Sequence, residues 1–302
     1  VPRVTVIIAT YNWATVLPYS IGSVLDQSFT DFELLVIGDG CTDESGDVVT
    51  AIDDPRVSWW NLETNAGHQS GPNNAGIERA NGDVIAYLGH DDLWLPNHLE
   101  LLVDAIDAAA PVAFSSILRV LLDKRPQRCP DAGASHRPGM WVAPSALAHR
   151  RDAARSVGGW GHPRDGGSRS PEVDFVDRMV KAWGPATFVD RVTAVKLSAS
   201  KRPNVYRDRP CHEQAHWLAT IRASDDPDAL VEQVRHERYI YERDRTVFER
   251  ARGWRAVRLV ESPVKSMMRH LHVLPPARSL QRVTFEEQWR TNRVKKGLDR
   301  DR

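Results

Sequence analysis

Cysteine is scarce in this 302-residue sequence: Cys41, Cys129 and Cys211 lie far apart, with no C-x-x-C pair and an odd total. That spacing argues against a zinc centre or a disulfide framework and suits a reducing compartment. No stretch reaches the roughly 18 consecutive apolar residues of a membrane-spanning helix. No G-x-G-x-x-G follows the first strand pattern, which disfavours a nicotinamide-dependent oxidoreductase. Net charge is absent as well, 40 Lys+Arg balancing 40 Asp+Glu, but the balance is uneven along the chain. From Arg250 onward fourteen Lys/Arg face five Asp/Glu. Basic charge confined to one end, without a recognised motif, makes nucleic acid a poor partner. Residues 1–4 enter a strand pattern with no leader-like segment. The expectation is therefore a cytoplasmic location, peripheral at the inner face of the membrane where the basic end docks.

What the sequence does contain is an alternation of strands and helices. With 41% hydrophobic and 26% charged residues it suits a globular chain with a large core. Apolar, β-branched runs at 4–9, 32–37, 57–62 and 84–88 read as strands, and Leu17, Ile21, Val24 and Leu25 recur at helical spacing. Such alternation predicts an α/β fold with a mostly parallel central sheet. Three of the runs end in polar loops: Thr10-Tyr11-Asn12, Gly38-Asp39-Gly40 and His90-Asp91-Asp92. Ligands of open α/β sheets sit beyond the carboxyl ends of the strands, so three converging loops predict a nucleotide site. Adjacent carboxylates such as Asp91 and Asp92 are costly to desolvate without a partner. A hard divalent cation carrying phosphate oxygens is the usual one. The competing reading makes one of them the cap of a helix beginning near Leu93.

Further along, residues 99–109 read as an amphipathic helix, 112–122 as a strand, and 124–138, rich in Pro, Gly and Arg, as a mobile excursion or lid. In V-G-G-W-G at 157–161 the glycines permit close backbone approach, and Trp160 offers either a face to a sugar ring or a plug for the core. Pro171 and Glu172 open a helical pattern. An acid there is favoured by the helix dipole whatever its role, and it is also suited to act as a general base on an acceptor hydroxyl. Lys196, Lys201, Arg202, Arg207 and Arg209 form a basic cluster, fit for a diphosphate or simply solvated. His212 is a third candidate metal ligand, or a structural histidine. From residue 226 the pattern becomes helical and charged, then basic; it suits a membrane-surface or partner-docking arm, or a helix packed on the main domain. Residues 290–302 read as a disordered tail.

The segments V-T-V-I-I-A-T-Y-N at 4–12 and F-E-L-L-V-I-G-D-G-C-T-D-E-S at 32–45, followed by Asp91-Asp92, resemble glycosyltransferase family 2 over roughly residues 4–220. The resemblance implies the GT-A fold, an α/β nucleotide-sugar domain, here at 1–225 with a donor half (1–110) and an acceptor half (111–225). A helical, basic C-terminal extension would follow at 226–302. It further implies that Thr10, Tyr11 and Asn12 pack on the base and that Asp39 contacts the nucleobase, usually uracil. Asp91 would lie by the ribose and metal, Asp92 on the Mn²⁺ or Mg²⁺ that bridges the diphosphate, with His212 able to complete the metal shell. Gly159 and Trp160 would line the acceptor side. The family's E-D-x-D-L-x-x-R helix start places Glu172 at the catalytic position and Asp174 two residues on. There are departures: Gly38 and Gly89 stand where acids are common, and in the loop at 65–76 Asn73 replaces an Arg and Pro72 an Ala. His68 and Asn74 of that loop remain on the donor side, with His68 a candidate to replace the lost Arg.

The implied activity is inverting, metal-dependent transfer from a nucleoside diphosphate sugar, a UDP-sugar foremost, to a hydroxyl of a glycan, lipid-linked or small-molecule acceptor, in polysaccharide or glycoconjugate synthesis. The alternative is a non-catalytic nucleotide-binding or membrane-docking module on the same fold.

Overall fold

The apolar runs that end in polar loops become neighbouring strands of one sheet. The computed structural model describes residues 1–121, 124–162, 170–199, 204–232, 291, 293 and 294. In it β1 (Val4–Thr10) lies between β2 (Phe32–Gly38) and β4 (Val84–Gly89), with β3 (Val57–Asn61) outside β2, all four parallel. The register pairs Thr10 with Gly38 and Ala9 with Gly89, so the three strand ends are level and their loops leave the sheet side by side.

Uninterrupted apolar strands follow from burial on both faces. Val4, Val6 and Ile8 of β1 join one core with Leu34, Val36, Ala86 and Leu88. Ile7, between them in sequence, joins the opposite core with Leu35, Ile37, Ile85 and Tyr87. Each such side chain contributes about 1.5–3 kcal/mol through burial. The first core is covered by α1 (Leu17–Leu25), α2 (Ser45–Thr50) and α4 (His98–Asp107). The second is covered by α3 (Ser70–Arg79), α5 (Arg151–Ser156) and α6 (Pro171–Trp183).

Beyond β4 the sheet is mixed, so the parallel arrangement belongs to the first half. The strand β5 (Leu93–Trp94) runs antiparallel to β9 (Thr187–Leu197), which is parallel to β6 (Val112–Leu121). Between β4 and β6, β8 (Leu147–Arg150) is antiparallel to both. The expected excursion at 124–138 begins instead as β7 (Lys124–Cys129), antiparallel to β6. Arg128 secures it by donating to Ser116 Oγ (2.9 Å) and pairing with Asp190, and Pro126 is tolerated because, among the described residues, β7 pairs only with β6.

After β9 come α7 (Val205–Asp208) and α8 (His212–Arg222), and Leu230 and Val231 pack with Leu218, Ile221 and Leu93. Most of the basic arm, including its expected membrane contact and the tail at 290–302, lies outside the described residues. No helix among the described residues is long and apolar enough to cross a membrane.

Candidate active site

Thr10 ties two of the three loops together. Its carbonyl accepts from the Asp39 N–H (2.8 Å), and its hydroxyl bonds His90 Nδ1 (2.9 Å). The other ring nitrogen of His90 reaches the Tyr206 hydroxyl (3.1 Å), and Trp13 packs edge-on against both rings. Asp39 is 5% exposed and accepts from the backbone N–H groups of Ala66 (2.8 Å) and Gly67 (3.2 Å). Burial raises its pKa; the two amides and the nearby charge of Arg293 oppose that rise. Arg293 also donates to the Gly67 carbonyl, so Gly67 is clasped from both sides, by residues 39 and 293. Asn12, at a left-handed φ of 45°, accepts from the N–H groups of Thr42 (2.7 Å) and Asp43 (3.3 Å). It builds the D-G-x-T-D turn. Tyr11 is half-buried on the same loop.

The acid pair divides. The β5–β9 ladder pairs Trp94 with Ala194 and Leu93 with Val195. The next step sets Asp92 against Lys196, whose Nζ donates to Asp92 Oδ2 at 2.6 Å. Ser145 Oγ donates to the same oxygen (2.5 Å), and the Leu197 N–H donates to Oδ1 (3.0 Å). The Asp92 side chain is fully buried. Both its oxygens are thus held by the protein's own donors. Burial alone would lower the Lys196 pKa; the charges of Asp92 and Asp91 outweigh it, so the pKa is raised and the ammonium is kept. A Cβ at Gly89 would fall 2.8 Å from Asp92 Oδ2, which explains why the acid common at that position is missing. The helix-cap reading also fails, because α4 starts only at His98.

Asp91 is different. It is 8% exposed, and among the described residues no donor reaches its carboxylate; Gln214 donates only to its backbone carbonyl (3.2 Å). Because α8 turns Gln214 onto this loop, His212 is left exposed at the helix start. Among the described residues no three His, Cys, Asp or Glu side chains gather as a metal centre, so Asp91, Asp92 and His212 do not form the expected triad. Among the described residues, the open carboxylate of Asp91 fits a divalent ion. One carboxylate suffices for a hard cation whose other ligands are phosphate oxygens and water.

Glu172 sits in the first turn of α6, behind Pro171 at a position such helices favour. Its carboxylate accepts from Trp141 Nε1 (2.9 Å) and from Gln69 Nε2 (3.3 Å), and its charge acts on Lys196. Gln69 precedes α3, so this contact joins the first half of the chain to α6. Asp174 has another task. It pairs with Arg178 (2.8 Å), which donates to the carbonyls of Gly159 (2.7 Å) and Val157. That clasp fixes the glycine turn. Trp160 is 2% exposed, stacked on Phe175 (4.7 Å between centroids) and edge-on to Tyr87 (5.1 Å). It is a core plug and presents no face to a sugar. Asn74 holds the Trp160 backbone through both ends of its amide (2.9 and 2.8 Å), and a Cβ at Gly159 would meet Asn74 Oδ1 at 2.4 Å. His68 lies edge-on to His162, 4.4 Å between centroids.

Of the basic cluster, Arg207 pairs with Asp208 (2.8 Å) and Arg209 donates to the Tyr206 carbonyl (3.2 Å), both exposed. Lys201 and Arg202 lie outside the described residues. Lys196 is the member that reaches the acids. Sequence reasoning missed Ser145, Gln69, Trp141, Tyr206 and Arg293, whose partners are all distant along the chain; Gln69, Tyr206 and Arg293 stood in segments already singled out, but for other reasons.

The geometry accords with known sequences. A family-wide sequence model described as glycosyl transferase family 2 matches residues 5–132. Residues 5–132 are thus similar to family 2 glycosyltransferases. The succinoglycan biosynthesis protein ExoO of Rhizobium meliloti is 39% identical over 129 residues, 42% of this chain and 37% of that protein. The UDP-Glc:α-D-GlcNAc-diphosphoundecaprenol β-1,3-glucosyltransferase WfgD of Escherichia coli is 34% identical over 100 residues, 33% of this chain and 39% of that protein. The chain thus spans about two fifths of these relatives' lengths. The mannosyltransferase PcManGT from Pyrobaculum calidifontis, solved with GDP-Man and Mn²⁺, has a similar fold: TM-score 0.56 at 18% identity, covering 99% of this chain and 88% of that one. The GT-A expectation for the fold holds.

Proposed function

We propose that the chain transfers a sugar, with inversion, from a nucleoside diphosphate sugar (a UDP-sugar foremost) to an acceptor hydroxyl, in polysaccharide or glycoconjugate synthesis. One observation carries the reading. Three level strand ends bring Asp39 and Asp91 to one edge of the sheet, and the charge of Glu172, from the other half, acts on Lys196 beside them. Asp39, with Thr10 and Tyr11, takes the base side, and Asp91 the ribose and diphosphate side. A divalent ion, Mn²⁺ or Mg²⁺, supplies charge neutralisation on the diphosphate when bound, with Asp91 as its protein ligand. Glu172 takes the proton of the acceptor hydroxyl as its oxygen bonds the anomeric carbon, while the bond to the diphosphate oxygen breaks and the electron pair leaves with it. Gln69 and Trp141 hold the base in position.

The name of the Escherichia coli relative, with its undecaprenol diphosphate, supports a lipid-linked acceptor. Residues 1–225 would form the catalytic unit. The border at 226 is one of composition, since Leu230 and Val231 pack into the same core as Leu93.

The test offers UDP-, GDP- and dTDP-sugars to the purified chain with Mn²⁺ or Mg²⁺, with and without a lipid diphosphate acceptor. Release of one nucleotide that Glu172→Gln abolishes is the expected result. Nucleotide binding without release under every condition would make this a non-catalytic binding module, and no binding at all would remove the donor site from the account.

A further inference from the structure

We infer that Lys196 is a built-in cation at the diphosphate end of the donor site, and that Asp92 is a residue that positions it. The inference rests on the donor-site reading above and names which charge meets the leaving group.

The Lys196 side chain is 20% exposed while that of Asp92 is 0% exposed, so the lysine is the more open member of the pair. Asp92 accepts one of its protons at 2.6 Å, and among the described residues no second acceptor takes the other two. An ammonium has three donors, which leaves two for phosphate oxygens. Three acids act on this charge: Asp92 and Asp91 from one loop, and Glu172 from α6. Lys196 therefore feels both the carboxylate assigned to the diphosphate, Asp91, and the one assigned to the acceptor, Glu172, and its direct bond to Asp92 fixes it on the loop that carries Asp91. No other member of its basic cluster reaches the acids among the described residues. Asp92, with both oxygens held by Lys196, Ser145 and the Leu197 N–H, acts on substrate only through the lysine. As the sugar departs, the bond from its anomeric carbon to the diphosphate oxygen breaks. The negative charge left on that oxygen meets the ammonium, which keeps its protons.

A purely structural pair would tolerate replacement by neutral residues of similar volume, since buried ion pairs are often no more stabilising than apolar substitutes. That difference sets the experiment. Lys196→Met, Lys196→Arg and the double variant Lys196→Met with Asp92→Asn are compared with wild type by calorimetric titration with UDP and GDP in chelator, by thermal melting, and by donor turnover. The double variant removes both charges together and is the one expected to melt near wild type. We expect it and Lys196→Met to lose about tenfold or more in nucleoside diphosphate affinity without metal, and about 10²–10³-fold in turnover. Lys196→Arg should recover most of the affinity and less of the turnover. A folded double variant that binds and turns over like wild type overturns the inference and leaves the proposed function standing. Wild type that binds neither nucleotide, with or without metal, overturns both.

Discussion

Asp39 and Asp92 are two buried carboxylates beyond the ends of β2 and β4, the parallel strands on either side of β1, and they are satisfied by different means. Asp39 is held by two backbone N–H groups of the loop at 66–67, with the charge of Arg293 beyond. Asp92 is held by a lysine ammonium, a serine hydroxyl and one backbone N–H. The first arrangement shapes a loop around a carboxylate. The second anchors a mobile, charged side chain in one place. Burial alone therefore does not mark a ligand. What a buried acid does is decided by the donors that reach it, and between the adjacent Asp91 and Asp92 only Asp91 is left open among the described residues.

The comparison can be sharpened by changes of decreasing effect. Glu172→Gln touches neither carboxylate and should lower turnover by about 10²–10⁴-fold while nucleotide affinity stays within about twofold, as read by steady-state kinetics and titration. Lys196→Ala leaves Asp92 buried and unpaired, and should cost about 3–5 kcal/mol in urea unfolding. Gly89→Ala pushes a Cβ toward the pinned Asp92 Oδ2 and should cost about 1–3 kcal/mol, an effect that shrinks when Asp92 is also replaced by Ala. Asp39→Asn keeps one acceptor oxygen and should cost only about 1 kcal/mol, with a clear loss of nucleotide affinity.

The smallest effect is one of pH. Burial raises the Asp39 pKa above the 3.8 of an ordinary aspartate, so the folded state binds its proton more readily than the unfolded chain. The contribution to stability is present below the unfolded pKa and is lost as pH rises through the folded one. Wild type should therefore gain stability relative to Asp39→Asn as pH falls through that range, so that their unfolding midpoints draw apart toward the acid end. A difference that does not change with pH would contradict the assignment.

Much of the first half was legible in the sequence. Strands buried on both faces leave uninterrupted apolar runs, and the polar loops that follow them mark one sheet edge. Asp39 and Asp91 were found that way. The partners that decide each acid's role were not legible, because they come from elsewhere in the chain. Lys196 lies 104 residues from Asp92 and reaches it through an antiparallel pairing that no local pattern encodes. Trp160 could be a platform or a plug until Phe175 and Tyr87 closed on it. Asp174 stood beside Glu172 in the helix pattern, but Arg178, one turn on, claims it for the turn at 157–159. Asn12, read as a base contact, also holds residues 42 and 43.

The division of the acid pair is tested most directly by one measurement: the Mn²⁺ concentration that half-saturates metal-linked UDP binding, in wild type, Asp91→Asn and Asp92→Asn. The account predicts that Asp91→Asn raises this concentration by about tenfold or more, while Asp92→Asn leaves it unchanged even though nucleotide affinity falls. A rise in Asp92→Asn with no change in Asp91→Asn would contradict it.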